Sequence, residues 1–147
     1  GQVERIPTGH ATQLTPDGII NLAWSLKEPF YANASFMMNR NSIALTMKMK
    51  DGQGNYLWQP NFQSGQPATL VGYPVRFAAD MPNVAAGTLP MAIGRFSEAY
   101  TIVDRVGISV LRDPYTKKPF VLFYTRRRVG GDVVNYEAYK LAVVSLT

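Results

Sequence analysis

Apolar positions recur at helical spacing after Thr15-Pro16-Asp17: Ile19, Ile20, Ala23, Trp24 and Leu26. Thr15 offers an N-cap, Pro16 sits where no backbone donor is missed, and Asp17 suits the positive end of the helix dipole. The pattern predicts a helix over 16–26, closed by Glu28-Pro29, with Trp24 on its core face. Residues 1–14 are polar and broken by Pro7, Thr8 and Gly9, a lead-in segment. Ala34 to Met38 predicts a short buried strand, and Asn39 the cap of a second helix ending near Lys50.

After Asp51 the pattern changes. Residues 51–67 are rich in Gly, Asn, Gln and Pro and have no period, yet carry Tyr56, Leu57, Trp58 and Phe62. A loop of this length with four large apolar groups is expected to pack on its own domain or on a neighbour. The remainder reads mostly as β: an edge or bulged strand over 68–78, strands at 89–93, 101–103 and 107–111, a single turn at 97–100 and a break at Asp113-Pro114. From Phe120 to Val129 the alternation puts Phe120, Leu122, Tyr124, Arg126 and Arg128 on one face. Val121, Phe123, Thr125, Arg127 and Val129 take the other. Gly130-Gly131 permits a reversal, so that a closing strand over 139–146 can pair back antiparallel. Helices in the first half and strands in the second predict an α+β (mixed α/β) fold.

Composition adds an expectation of partners. The chain is 46% hydrophobic and 17% charged with seventeen aromatic residues, a load that suggests apolar surface facing another molecule. No apolar run reaches ten residues, too short for a membrane-spanning helix, and no charged-then-apolar signal segment opens the chain. It starts Gly1-Gln2-Val3, which suggests a piece of something longer. Without cysteine there is neither disulfide nor thiolate ligand, and one histidine offers no metal-ligand spacing. No cofactor and no small-molecule substrate are implied.

Charge is concentrated between Val103 and Gly131. Seven basic residues, Arg105, Arg112, Lys117, Lys118, Arg126, Arg127 and Arg128, face only Asp104 and Asp113, so this run holds +5, the net charge of the whole chain. Three readings stay open: a nucleic-acid surface, a subunit interface, or plain solvation. A nucleic-acid platform needs one coherent basic face, whereas three adjacent arginines on a strand point to both. Arg also pairs bidentately with carboxylates at protein interfaces. The alternation therefore favours interface or solvation. His10 lacks an orienting carboxylate and a nucleophile in its sequence neighbourhood, and no hydrolase, zincin or P-loop motif occurs.

The motifs MMNR (37–40), MKMKD (47–51), GNYLWQP (54–60), GQPATLVGYPV (65–75), ADMP (79–82), AIGRFSEAYTIVDRVGISVLRDPYTKKP (92–119) and VLFYTRRRVGGDVVNYEAYKLA (121–142) occur in that order. Together they resemble the major capsid protein family of tailed bacteriophages with the HK-ninety-seven-like fold, over about residues 15–146. The resemblance implies a coat subunit that assembles into pentamers and hexamers of an icosahedral head enclosing DNA, in a virion and in the host cytoplasm during assembly. It implies an axial domain over 15–116 and long antiparallel peripheral strands over 117–147, with the family's N-terminal arm, extended loop and spine helix missing. A bacterial nanocompartment shell shares the fold and stays as an alternative.

Partners implied are other copies of the subunit, DNA non-specifically, and a portal or scaffold. Candidate inter-subunit residues are Arg112, Asp113, Lys117, Lys118, Arg126, Arg127, Arg128, Tyr56, Trp58 and Phe62. Some family members join a lysine of the extended loop to an asparagine near the start of the equivalent strand, with a glutamate along that strand as base. Residues 114–131 contain neither asparagine nor glutamate, so the resemblance implies no such bond here.

Overall fold

The computed structural model describes residues 2–58 and 69–146. They divide into two units, one of residues 1–99 and 135–147, the other of residues 100–134.

The larger unit is built on a six-stranded mixed sheet. Its elements are β1 (Arg5–Pro7), α1 (Pro16–Trp24), β2 (Ser35–Met38), α2 (Arg40–Met47), β3 (Thr69–Leu70), β4 (Tyr73–Phe77), β5 (Met91–Gly94), α3 (Phe96–Ala99) and β8 (Tyr139–Val143). The strand order is β1-β8-β5-β2-β4-β3. Both long helices begin as their caps dictate: Thr15 Oγ1 accepts from Gly18 N at 3.0 Å and Asn39 Oδ1 from Asn41 N at 3.1 Å. Phe36, Met38, Val75, Met91, Ile93 and Ala142 are register partners on one sheet face, and with Ile19, Leu22, Ala23 and Ile43 they form the core.

Several elements depart from the sequence reading. The lead-in contains β1, which runs parallel to β8. Trp24 is 67% exposed and not core. Ile19, Leu22, Ala23 and Leu26 fill the buried stripe at i, i+3, i+4 and i+7, which leaves Ile20 and Trp24 on the flank. In place of one strand over 68–78, Thr69–Leu70 and Tyr73–Phe77 form a hairpin closed by Val71 (φ 51) and Gly72 (φ 84), a two-residue turn with both central residues left-handed. The closing strand does not pair with residues 120–129. It lies antiparallel to β5, Met91 opposite Ala142, because its apolar side completes the core.

The second unit is a two-stranded antiparallel hairpin of β6 (Tyr100–Asp113) and β7 (Leu122–Val133). The expected strands at 101–103 and 107–111 are one strand, and Gly130-Gly131 lie inside β7 instead of reversing it, opposite Val103 and Ile102. The Tyr100 ring lies across Gly131, where an added Cβ would come within 2.5 Å of the phenol oxygen, so glycine keeps the ribbon paired.

Candidate functional site

The hairpin holds fourteen of the twenty-three exposed large hydrophobic residues among those described, within a span of 35 residues. Ile102, Val110, Phe123 and Tyr124 are each at least 58% exposed on a ribbon with only two strands. Such a hairpin is marginal by itself in water and needs a third layer or strand. Exposed apolar area of this density marks a surface that another chain segment covers.

The two faces differ in chemistry. β7 alternates without interruption, whereas β6 carries register shifts between Asp104 and Val106 and between Val106 and Ser109. Residues directly opposite share a face. One face thus carries Tyr100, Ile102, Asp104 and Val110 from β6 with Phe123, Thr125, Arg127 and Val129 from β7. There Arg127 Nε donates to Asp104 Oδ1 at 3.1 Å, and a second guanidinium nitrogen donates to Oδ2. This bidentate pair neutralises the central charge of the face, which also carries Arg112, opposite Phe123 near the tip.

The opposite face carries Thr101, Val103, Val106, Ser109, Leu111 and Asp113 with Leu122, Tyr124, Arg126, Arg128 and Asp132, two carboxylates to two arginines. Arg126 Nε reaches Ser109 Oγ at 3.4 Å, and neither Arg126 nor Arg128 has a carboxylate partner among the described residues.

The remaining candidates sit apart. Asp113 is consumed by its own turn: Oδ1 accepts from Tyr115 N at 2.9 Å and from Thr116 N at 3.2 Å, and the Thr116 hydroxyl donates to Oδ2. The Thr116 hydroxyl first, then the Tyr115 amide, hold its carboxyl below the ordinary aspartate range. Arg112, Lys117 and Lys118 surround this turn, exposed and without carboxylate partners among the described residues.

Tyr56 and Trp58 belong to the larger unit. Tyr56 is half exposed under the Lys50 ammonium, 4.8 Å from the ring centroid. Trp58 packs on the core and donates Nε1–H to Thr69 O at 2.7 Å. Phe62 lies outside the described residues. The expectation that all three arginines wait for carboxylates on a neighbour is corrected for Arg127, whose partner is in its own hairpin. Sequence reading missed Asp104 as that partner, and Tyr115 and Phe120 as exposed tip aromatics at 80% and 65%. Gly107, within the second irregularity, was the available signal for a bulge.

Elsewhere, His10 Nδ1 accepts from Thr12 N at 3.2 Å, a local turn contact. A groove of about 660 Å³ between α2 and β4 is lined by Ile43, Ala44, Met47, Val75 and Phe77, with Arg40 as its one ionisable group. Among the described residues no cluster of His, Asp or Glu is arranged to hold a metal ion, and no helix is long and apolar enough to cross a membrane.

The phage capsid family model matches residues 2–144. The chain belongs to the phage capsid family. Solved structures agree with that membership. The capsid of a native GTA particle computed with C5 symmetry is 41% identical, with a TM-score of 0.83, covering 97% of this chain and 50% of that one. The capsid of the empty GTA particle, also computed with C5 symmetry, is 41% identical with a TM-score of 0.82 and the same coverage. A chain of Gordonia phage Cozz shares the fold at 14% identity, with a TM-score of 0.60. The chain thus spans about half the length of each of these three chains. No curated protein matches. As a phage capsid family member with a mixed sheet and few helices, the chain has the expected α+β, HK-ninety-seven-like fold.

Proposed function

We propose that this chain is part of the structural subunit of an icosahedral phage or prophage head, a non-enzymatic protein whose copies associate into pentamers and hexamers around DNA. In this reading the six-stranded unit is the bulk of the axial domain and the hairpin belongs to the peripheral domain. The apolar face of the hairpin and its tip, with Arg112, Lys117 and Lys118, meet neighbouring subunits, as does Tyr56. Portal and scaffold are further partners, and the protein resides in the virion after assembly in the host cytoplasm. The observation that carries the reading is the hairpin itself, two strands long enough to need cover and apolar enough to reward it.

The test is negative-stain electron microscopy of the full-length protein under assembly conditions. Rings or closed shells are expected. A monomer at high concentration, with no capsomers in the micrographs, overturns the proposal.

A further inference from the structure

We propose, resting on the shell reading, that the hairpin tip of a neighbouring copy docks on the surface formed by α1, the short helical turn Glu28–Phe30 and the β3–β4 hairpin. Trp24 is the centre of that surface. It is 67% exposed, its ring lies 6.0 Å from that of Tyr31, and Tyr31 lies 5.4 Å from Tyr73 of β4. Ile20, one turn before Trp24, and Val71 of the β3–β4 turn are exposed as well. Both line an apolar pocket of about 330 Å³, together with Ile19, Leu57, Trp58 and Leu70. An apolar cavity of about 150 Å³ already holds a benzene ring, so this pocket has room for an aromatic side chain. A helix that leaves Ile20 and Trp24 in water beside such a pocket presents a surface that another segment covers.

Charge selects the occupant. Of the seven carboxylates in the larger unit, Glu4, Glu98 and Glu137 are in ion pairs and Asp51 caps its own turn. Asp17, Glu28 and Asp80 are exposed and outside any ion pair among the described residues. Two of these three frame the Trp24 surface. Asp17 lies two turns before Trp24 on the same stripe of α1, and Glu28 lies in the segment that joins Trp24 to Tyr31. Unpaired carboxylates repel a phosphate backbone, so the occupant is a protein segment with exposed aromatic groups and uncompensated cations. The hairpin tip has both. Tyr115 is 80% and Phe120 65% exposed. Arg112, Lys117 and Lys118 have no carboxylate partner among the described residues, and Asp113 is engaged by Tyr115 and Thr116 of its own turn. Residues 112–120 therefore carry three cations and one carboxylate, a net +2. The face bearing Arg126 and Arg128 fits less well, because Asp113 and Asp132 balance it. Two different surfaces of one chain that fit each other make a head-to-tail contact, which repeats from copy to copy into a ring or shell.

The experiment uses the full-length protein, with assembly followed by light scattering. Asp17→Lys with Glu28→Lys, and separately Lys117→Glu with Lys118→Glu, are each expected to raise the concentration needed for assembly about tenfold or more, since like charges then meet in the contact. Combining all four reversals is expected to return it to within about threefold of wild type, as directly paired groups do. Asp80→Lys combined with Lys117→Glu and Lys118→Glu is expected to give no rescue. Far-UV circular dichroism confirms that each variant is folded. A second measurement leaves every charge in place. The 147 residues contain no cysteine, so Asn21→Cys in one preparation and Pro114→Cys in another are mixed, assembled and oxidised. A disulfide between positions 21 and 114 of different copies, read by mass spectrometry, is expected.

Reversals that the fourfold variant does not rescue overturn the docking, as do shells that form without that disulfide. Assembly untouched by Asp17→Lys with Glu28→Lys overturns it too, and leaves the Trp24 surface to another partner. The shell reading fails separately. Full-length wild type that forms no rings or shells removes that reading and the docking with it, whereas shells without the disulfide remove only the docking.

Discussion

Asp104 and Arg127 lie diagonally across β6 and β7, joined by two hydrogen bonds, Nε to Oδ1 at 3.1 Å and a second nitrogen to Oδ2. Both side chains are about half exposed, at 47% and 53%. A solvent-reached pair of this kind contributes about 0.2–1 kcal/mol. A double-mutant cycle with Asp104→Asn and Arg127→Gln, followed by urea denaturation, is expected to give a coupling inside that range. A coupling well above it indicates that the pair is buried by a partner in solution.

Glu4 and Lys140 form an ion pair across β1 and β8, with the Lys140 side chain only 5% exposed and Glu4 60% exposed. Lys140 is opposite Ile93 and so faces the core. Glu4→Gln leaves a buried ammonium without its counter-charge and is expected to cost about 1–3 kcal/mol, less than a fully enclosed pair because water reaches Glu4. Lys140→Met, which removes the buried charge itself, is expected to be neutral or stabilising. Chemical denaturation of the two variants checks the order, and equal losses contradict it.

Gly18 packs against Thr8, where an added Cβ would stand 2.7 Å from the Thr8 carbonyl oxygen and 2.9 Å from Thr15 Oγ1. Gly18→Ala is expected to push the segment after β1 off α1, at a cost of about 1–3 kcal/mol. Faster amide exchange at Thr8, whose N–H donates to Val143 O at 2.9 Å, is the local readout.

Val71 holds φ 51 in the turn between β3 and β4, a left-handed conformation that a β-branched residue resists. Val71→Asn gives the Asn-Gly sequence such turns prefer and is expected to stabilise by roughly 1 kcal/mol. Thermal denaturation tests the sign.

Asp113 has its carboxyl lowered in the folded hairpin, chiefly by the Thr116 hydroxyl and the Tyr115 amide. A depressed folded value means that the turn is stabilised above the unfolded aspartate range, near 4, and loses that support as pH falls through the folded value. Amide exchange at Tyr115 and Thr116 is expected to accelerate only below about pH 4. Asp113→Asn should abolish that acid dependence.

The sequence by itself determined what depends on neighbours a few residues away. Thr15 and Asn39 announce the helix starts because capping is a contact over two or three residues, and the charged run 103–131 is visible as a count. The exposed, strand-like character of 120–129 was legible too, since basic side chains on both faces of a strand cannot all be buried. Strand partners were not legible in this way. β8 joins β5 and β1, far away in sequence, because the core face needs Ala142 beside Met91, and no local pattern names that partner. Gly130-Gly131 look like a turn in isolation, yet the Tyr100 ring across Gly131 keeps them in a strand. The division of the arginines was likewise tertiary. Alternation alone places Arg127 on the face away from Arg126 and Arg128, but only the pairing of β6 with β7, Asp104 opposite Val129, sets Asp104 diagonally beside Arg127.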